Sequence, residues 1–147
     1  MNFTITSTTW QIHQQPLREI RERVFIQEQY VSIADEWDDK DETAIHFLVN
    51  TDAGNAIACA RLVVETHEKQ TLLHIGRVAV LADYRQQAIG RALMAAIITY
   101  CKYEYSSHKI YLHAQTTRRR FYEHLSFVAC GEVFMDAGIP HIEMWLV

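Results

Sequence analysis

Apolar positions along the chain switch repeatedly between a period of two and a period of 3.6, and each switch marks an expected element. Phe3 and Ile5 alternate with Thr and Ser across residues 2–8, the pattern of a half-buried strand. Pro16 suits the first position of a helix, and Leu17, Ile20, Val24 and Phe25 then share a face to about Gln29. A meander follows: strands over 46–50, 56–66 and 72–80, separated by turns at 52–55 and 67–70. After a polar turn at 82–87, the residues Ile89, Leu93, Met94, Ile97, Ile98 and Cys101 form the apolar stripe of a long helix. Residues 109–115 return to strand spacing, with Ile110, Leu112 and Ala114 on one face and Tyr111 and His113 on the other. Thr116 or Thr117 can cap a short helix to about Leu125. Strands over 127–134 and 142–147, joined by a turn at 137–141, complete the chain. Strands and helices in this order predict an α/β fold, one mixed sheet with helices on both faces.

Length and charge narrow the picture. A chain of 147 residues fits one domain, 1–147, and can bury about two-thirds of its unfolded surface. The formal charge of −4 argues against a nucleic-acid partner. The Arg118-Arg119-Arg120 run reads as a solvated helix face. No apolar run reaches the roughly 20 residues that cross a bilayer, and no signal-like segment opens the chain, so no membrane partner is expected. Cys59, Cys101 and Cys130 are widely spaced among apolar neighbours, which reads as reduced core cysteines of a cytoplasmic protein. The eight histidines lack metal-ligand spacing, and no metal is expected. The acidic stretch 35–42, with Trp37 in its middle, reads as a solvated loop or short polar helix. Its sharper reading is an acidic lip that attracts an amine cation, assisted by the indole face. Arg61 is expected on a solvent-facing pleat, whereas Arg77 can face a groove and meet an acidic group of a substrate.

The stretch 75–94 organises the rest. A strand, a polar turn and a helix start leave backbone N–H groups unpaired at the positive end of the helix dipole, which is an anion site. Small residues at Ala88 and Gly90 let a diphosphate approach, and Arg85 and Arg91 add charge. The nucleotide-triphosphate loop and the dinucleotide fingerprint are both ruled out, because no Lys-Ser or Lys-Thr pair follows Gly90 and the expected glycines are missing.

What remains, Arg85-Gln86-Gln87-Ala88-Ile89-Gly90 after Val78-Ala79-Val80, resembles the acetyl-coenzyme A signature of the GNAT superfamily of N-acetyltransferases. Ala88 stands where that family usually has glycine. Arg120-Phe-Tyr-Glu-His-Leu-Ser-Phe127 resembles its Phe-Tyr-x-x-Leu-Gly-Phe segment, with Ser126 in place of glycine. Two further segments, Arg23-Val-Phe-Ile-Gln-Glu-Gln29 and Gly138-Ile-Pro-His141, resemble one branch that includes glyphosate-type acetyltransferases. Gln27 and Gln115 replace the substrate-binding arginines of those enzymes, so a phosphonate substrate is not expected.

The resemblance implies the GNAT acyl-CoA N-acyltransferase fold, its mixed sheet splayed around the cofactor between strands 72–80 and 109–115. It implies that Val78, Ala79 and Val80, the loop residues Arg85, Gln86, Gln87, Ala88, Ile89, Gly90 and Arg91, and Phe121 bind acetyl-coenzyme A. It implies Tyr122 as the acid that protonates the departing thiolate and His141 as the base. Glu28 or Glu132, acting through water, is the alternative base; Glu28, Arg77, Gln115 and Glu132 are candidate acceptor contacts.

The implied reaction is attack of a primary amine on the acetyl thioester in a ternary complex. At neutral pH only about one alkylamine in a thousand is unprotonated, so the site must take a proton. An imidazole, with an ordinary pKa of about 6.5, suits that task. The acceptor is expected to be a small molecule. A protein N-terminus or lysine is the alternative acceptor, and a non-catalytic coenzyme A-binding module is the alternative function. The terminal strands leave a homodimer open.

Overall fold

The computed structural model describes residues 2–106 and 108–147. Seven strands form one sheet: β1 (Phe3–Thr8), β2 (Ile45–Thr51), β3 (Ala56–His67), β4 (Gln70–Val80), β5 (Lys109–Gln115), β6 (Phe127–Asp136) and β7 (Ile139–Leu146). Their order is β1-β2-β3-β4-β5-β7-β6. Only β4 and β5 run parallel, and they pair only from Leu72↔Lys109 to Ile75↔Leu112. Beyond Ile75 the two strands part, as the family resemblance implies.

A bulge explains the opening. Against β3, the pairing steps from Arg61↔Gly76 to Cys59↔Ala79, which leaves one extra residue in β4. Arg77, inside the bulge, takes φ +51°, a left-handed conformation. One extra residue swaps the faces that later side chains occupy. Leu73 and Ile75 therefore pack with the core on one face, whereas Ala79 joins the core on the other.

Each face has its own helix. On the first, α3 (Ile89–Glu104) lays Ile89, Leu93, Met94, Ile97 and Cys101 on Phe47, Val49, Leu62 and Leu73, all buried. The short α4 (Arg119–Glu123) closes the end of that core with Tyr122. On the second face, α1 (Trp10–Arg21) and its wider π-type continuation Glu22–Glu28 pack Leu17, Ile20, Val24 and Phe25 on Leu48, Cys59 and Ala79. The π turn shifts the last bonds outward: the N–H of Gln29 donates to the carbonyl of Val24 at 3.2 Å. A fully buried leucine of this kind contributes about 1.5–3 kcal/mol relative to an exposed one.

Several sequence expectations are corrected. The first helix starts at Trp10, capped by the Thr9 side chain, rather than at Pro16. It kinks at His13 (φ −124°, ψ 31°), so Pro16 falls in the first turn after the kink, where its missing N–H costs little. Neither Thr116 nor Thr117 caps α4, because Thr116–Arg118 form a turn of 3₁₀ helix leading into it. Pro140 and His141 lie within β7, paired with Met135 and Phe134, rather than in a turn. Cys130 is exposed on the edge strand β6, and only Cys59 and Cys101 are core residues.

The largest correction concerns charge. The acidic stretch is not a solvated loop, since Glu36, at the end of α2 (Ile33–Glu36), and Asp41 are buried. Arg61 is buried too, instead of projecting to solvent. Arg21 donates from Nε to Glu36 at 2.8 Å and from Nη1 to Asp41 at 2.7 Å. Arg61 grips Asp38 with both terminal nitrogens, at 2.8 and 2.9 Å. The Trp37 ring already meets the guanidinium groups of Arg18 and Arg21, whose Cζ atoms lie 4.2 and 5.0 Å from its centroid. A buried carboxylate needs a cation or several donors, and this segment folds inward to meet three arginines.

Candidate active site

β4 ends at Val80, and a short turn (Ala82–Tyr84) carries the chain to α3. Gln86 and Ala88 both adopt φ +62° before the helix opens at Ile89. No side chain caps this start, so the first amides of α3 keep their donors for another partner. Holding an alanine left-handed at Ala88 costs about 1 kcal/mol, which glycine would not incur. At Gly90, an added Cβ would meet Phe121 Cζ at 3.6 Å and Val80 Cγ2 at 3.9 Å, ordinary contacts. The fold itself therefore does not demand glycine at Gly90. An open backbone flanked by Phe121 and by uncapped amides fits a diphosphate.

Arg85 is engaged elsewhere. Its Nε donates to the Val80 carbonyl at 2.9 Å, and its terminal nitrogens hold both oxygens of Glu28 at 2.6 and 2.8 Å. The hydrogen bond from Arg85 holds the Glu28 carboxyl below its usual range, against a smaller opposing effect of burial. The pair ties the turn before α3 to the end of the π-type continuation of α1. Arg91 is exposed on the first turn of α3.

The parting of β4 and β5 opens a cleft on the α1 side of the sheet. Its lining includes Glu36, Arg61, Val63, His74, Arg77, Val78, His113, Gln115, Tyr122 and His141. Of the residues singled out from sequence, Val78, Arg77, Gln115, Tyr122 and His141 meet here. Glu28 does not border the cleft, and Glu132 is exposed on the irregular segment of β6 where its pairing with β7 slips.

Tyr122 is buried between the rings of Phe121 and Phe127, at centroid distances of 5.0 and 6.0 Å. Burial pushes its phenol up to about 12, so it stays protonated at neutral pH, the form a proton donor needs. His141 is half-buried, and its Nδ1 lies 2.7 Å from the Ile139 carbonyl. A carbonyl only accepts, so Nδ1 carries a proton, and in the neutral ring Nε2 keeps a lone pair. That is the tautomer of a base. Gln115, opposite His141 in register, donates to Gln29 Oε1 at 2.8 Å.

Arg77 reaches the cleft with its charge already balanced. Its Nε lies 3.1 Å from Glu36 and its Nη2 3.3 Å from Asp38, and Nη2 also meets the carbonyls of Asp35 and Glu36. The Nε atoms of Arg61 and Arg77 are buried without a well-aligned hydrogen bond.

Two histidines that no sequence motif marks, His74 and His113, also line the cleft. His113 hydrogen-bonds through Nε2 to Glu143 at 3.2 Å, and His74 through Nδ1 to Glu65 at 3.2 Å. The sequence put His113 on the strand face opposite Ile110, Leu112 and Ala114 but gave it no role. Only the strand register, which brings His74 beside Tyr111 and His113 opposite Glu143, assembles the group.

Comparison with known proteins adds independent findings. A family model described as an acetyltransferase (GNAT) domain matches residues 11–147. The protein YyaT of Bacillus subtilis is 33% identical over 151 residues, covering 98% of this chain and 94% of its own. The crystal structure of an acyl-CoA N-acyltransferase from Pseudomonas aeruginosa superposes with a TM-score of 0.86 at 28% identity, covering 99% of this chain and 100% of that one. Escherichia coli ElaA superposes with a TM-score of 0.88 at 26% identity and the same coverage.

Proposed function

Because the chain belongs to the GNAT acetyltransferase family, we propose that it moves an acetyl group from acetyl-coenzyme A to a primary amine of a small molecule. Acetyl-coenzyme A would supply the acetyl group as an activated thioester. The amides opening α3, from Ala88 to Arg91, would hold its diphosphate, with Gln86, Gln87 and Phe121 alongside. The main chain of Val78, Ala79 and Val80, which β5 does not pair, would hold the pantetheine arm and offer an N–H to the carbonyl oxygen.

The carrying observation is the meeting of an imidazole lone pair and a buried protonated phenol at one cleft between parting strands. His141 Nε2 takes the proton of the attacking amine. The Tyr122 hydroxyl donates a proton toward the departing sulfur. His141 is assigned as the base in preference to Glu28 and Glu132 because neither glutamate borders the cleft. Arg77 and Gln115 are contacts on the acceptor side.

The test is thiol release from acetyl-coenzyme A with a panel of amines, amino acids and peptides, followed by mass spectrometry of the product. A small amine acetylated faster than any peptide supports this reading. Peptides outcompeting every small amine would redirect it to protein acceptors. Cofactor binding by calorimetry with no turnover on any acceptor would reduce the protein to a coenzyme A-binding module.

A further inference from the structure

Opposite the arginine-rich wall, the sheet side of the cleft carries a circuit of side chains that the reaction above does not use. Glu65 on β3 accepts from the Tyr111 hydroxyl and from His74 Nδ1. Glu143 on β7 accepts from the Trp145 indole N–H at 2.9 Å and from His113 Nε2 at 3.2 Å. The rings close the circuit: His74 stacks on Tyr111 at 4.4 Å, Tyr111 on Trp145 at 4.7 Å, and His113 meets His74 edge-on at 4.9 Å.

Two consequences follow from donor and acceptor chemistry. In its neutral form each imidazole spends its one N–H on a carboxylate, which leaves His74 Nε2 and His113 Nδ1 as lone pairs, and no protein donor meets either among the described residues. His74 stays neutral because burial pulls it down to about 4. With His141 Nε2, the sheet wall presents three hydrogen-bond acceptors. The second consequence is charge. The cleft lining itself is balanced, with Asp35, Glu36 and Asp136 against Arg61, Arg77 and Arg118. Behind the imidazoles, Glu65 and Glu143 meet no lysine or arginine among the described residues, so they tip the cleft negative.

Resting on the acetyl-transfer reading, we propose that the acceptor is a small diamine, whose second, cationic nitrogen donates to the free ring nitrogens of His74 and His113 while its reacting nitrogen faces His141. The spacing agrees. His141 pairs with Gln115 and Glu143 with His113, one strand repeat away. That repeat of two residues spans about 7 Å, the reach of a chain of about four carbons. Arg61 and Arg77 do not compete for an anionic acceptor group, because Glu36, Asp38 and Asp41 already hold them.

The test compares diaminobutane, with amines on its two terminal carbons, against butylamine and aminobutyrate. The expected result is a kcat/KM at least ten-fold higher for the diamine than for butylamine, carried mainly by KM, with aminobutyrate poorest. Glu65→Gln and Glu143→Gln should each cut the diamine-to-butylamine ratio several-fold. The two variants act from separate strands, so misfolding of one leaves the other to be read. Equal kcat/KM for diamine and butylamine, or a preference for aminobutyrate, overturns the proposal. Calorimetry with the same amines needs no turnover and separates the two readings. Tighter diamine binding by an inactive protein supports this site while sinking acetyl transfer, and indistinguishable binding of all three overturns the site.

Discussion

On the helix side of the cleft, Glu36, Asp38 and Asp41 each meet an arginine nitrogen within 2.8 Å. On the sheet side, Glu65 and Glu143 meet only phenol, imidazole and indole among the described residues. Both walls are half-buried or buried, and both satisfy most of their hydrogen bonds, yet they differ in what they leave for a ligand. The arginine wall cancels its own charge and stitches α1, the loop after α2, β3 and the β4 bulge together. The imidazole wall keeps net charge and lone pairs. Compensated charge builds the frame, and uncompensated charge is what a bound molecule can sense.

The sharpest way to break the comparison is to remove a cation from the arginine wall. Arg21 is 1% exposed and is the nearest cation to both Glu36 and Asp41, so Arg21→Met takes one partner from each of two buried carboxylates and leaves Glu36 with Arg77 and Asp41 with Arg61, both at 3.1 Å. Loss of one partner from a buried pair costs about 3–5 kcal/mol. Urea unfolding should show a loss in that range, and a loss below about 1 kcal/mol would mean that this wall is not a frame.

His141→Ala tests the other wall and should give the opposite signature. His141 is only half-buried and makes one hydrogen bond, to the Ile139 carbonyl, so stability should change by about 1 kcal/mol or less. Turnover should fall about 100-fold, because a general base contributes at least that much. Stopped thiol release with an unchanged unfolding midpoint separates chemistry from folding. Unchanged turnover would remove His141 from its role.

The two walls also differ in how much of them can be read from the chain. Periodicity finds α3 and most strands, because Leu93, Met94 and Ile97 obey a local rule. It starts α1 too late because Pro16 is a louder signal than the Thr9 cap. The junction where β4 turns into α3 is legible, since strand, turn and helix start are contiguous. The arginine wall is not, because Arg21, Asp41 and Arg61 meet only through tertiary packing, and a run of acids has the same local appearance whether solvated or buried. The imidazole wall needs the pairing of four strands, β3, β4, β5 and β7, and composition carries no trace of that register.

Asp38 offers the mildest and most quantitative probe, since it is the outermost carboxylate of the arginine wall. Burial works to raise its carboxyl, but the hydrogen bonds and charge of Arg61, with help from the Lys40 amide and Arg77, override it and hold the group down to about 2. Its ordinary value is 3.8, so the folded state prefers the ionised form. A depressed carboxyl contributes stability that is complete above the unfolded value and is lost as pH falls through the folded one. The contribution is about 2 kcal/mol, present at pH above roughly 5 and withdrawn between roughly 4 and 2. Urea unfolding of the native protein across that window should therefore lose more stability than unfolding of Asp38→Asn, whose amide does not titrate. Parallel curves for the two proteins would show that the Arg61 fork does not favour the Asp38 carboxylate, and the arginine wall would then be no better compensated at its rim than the imidazole wall.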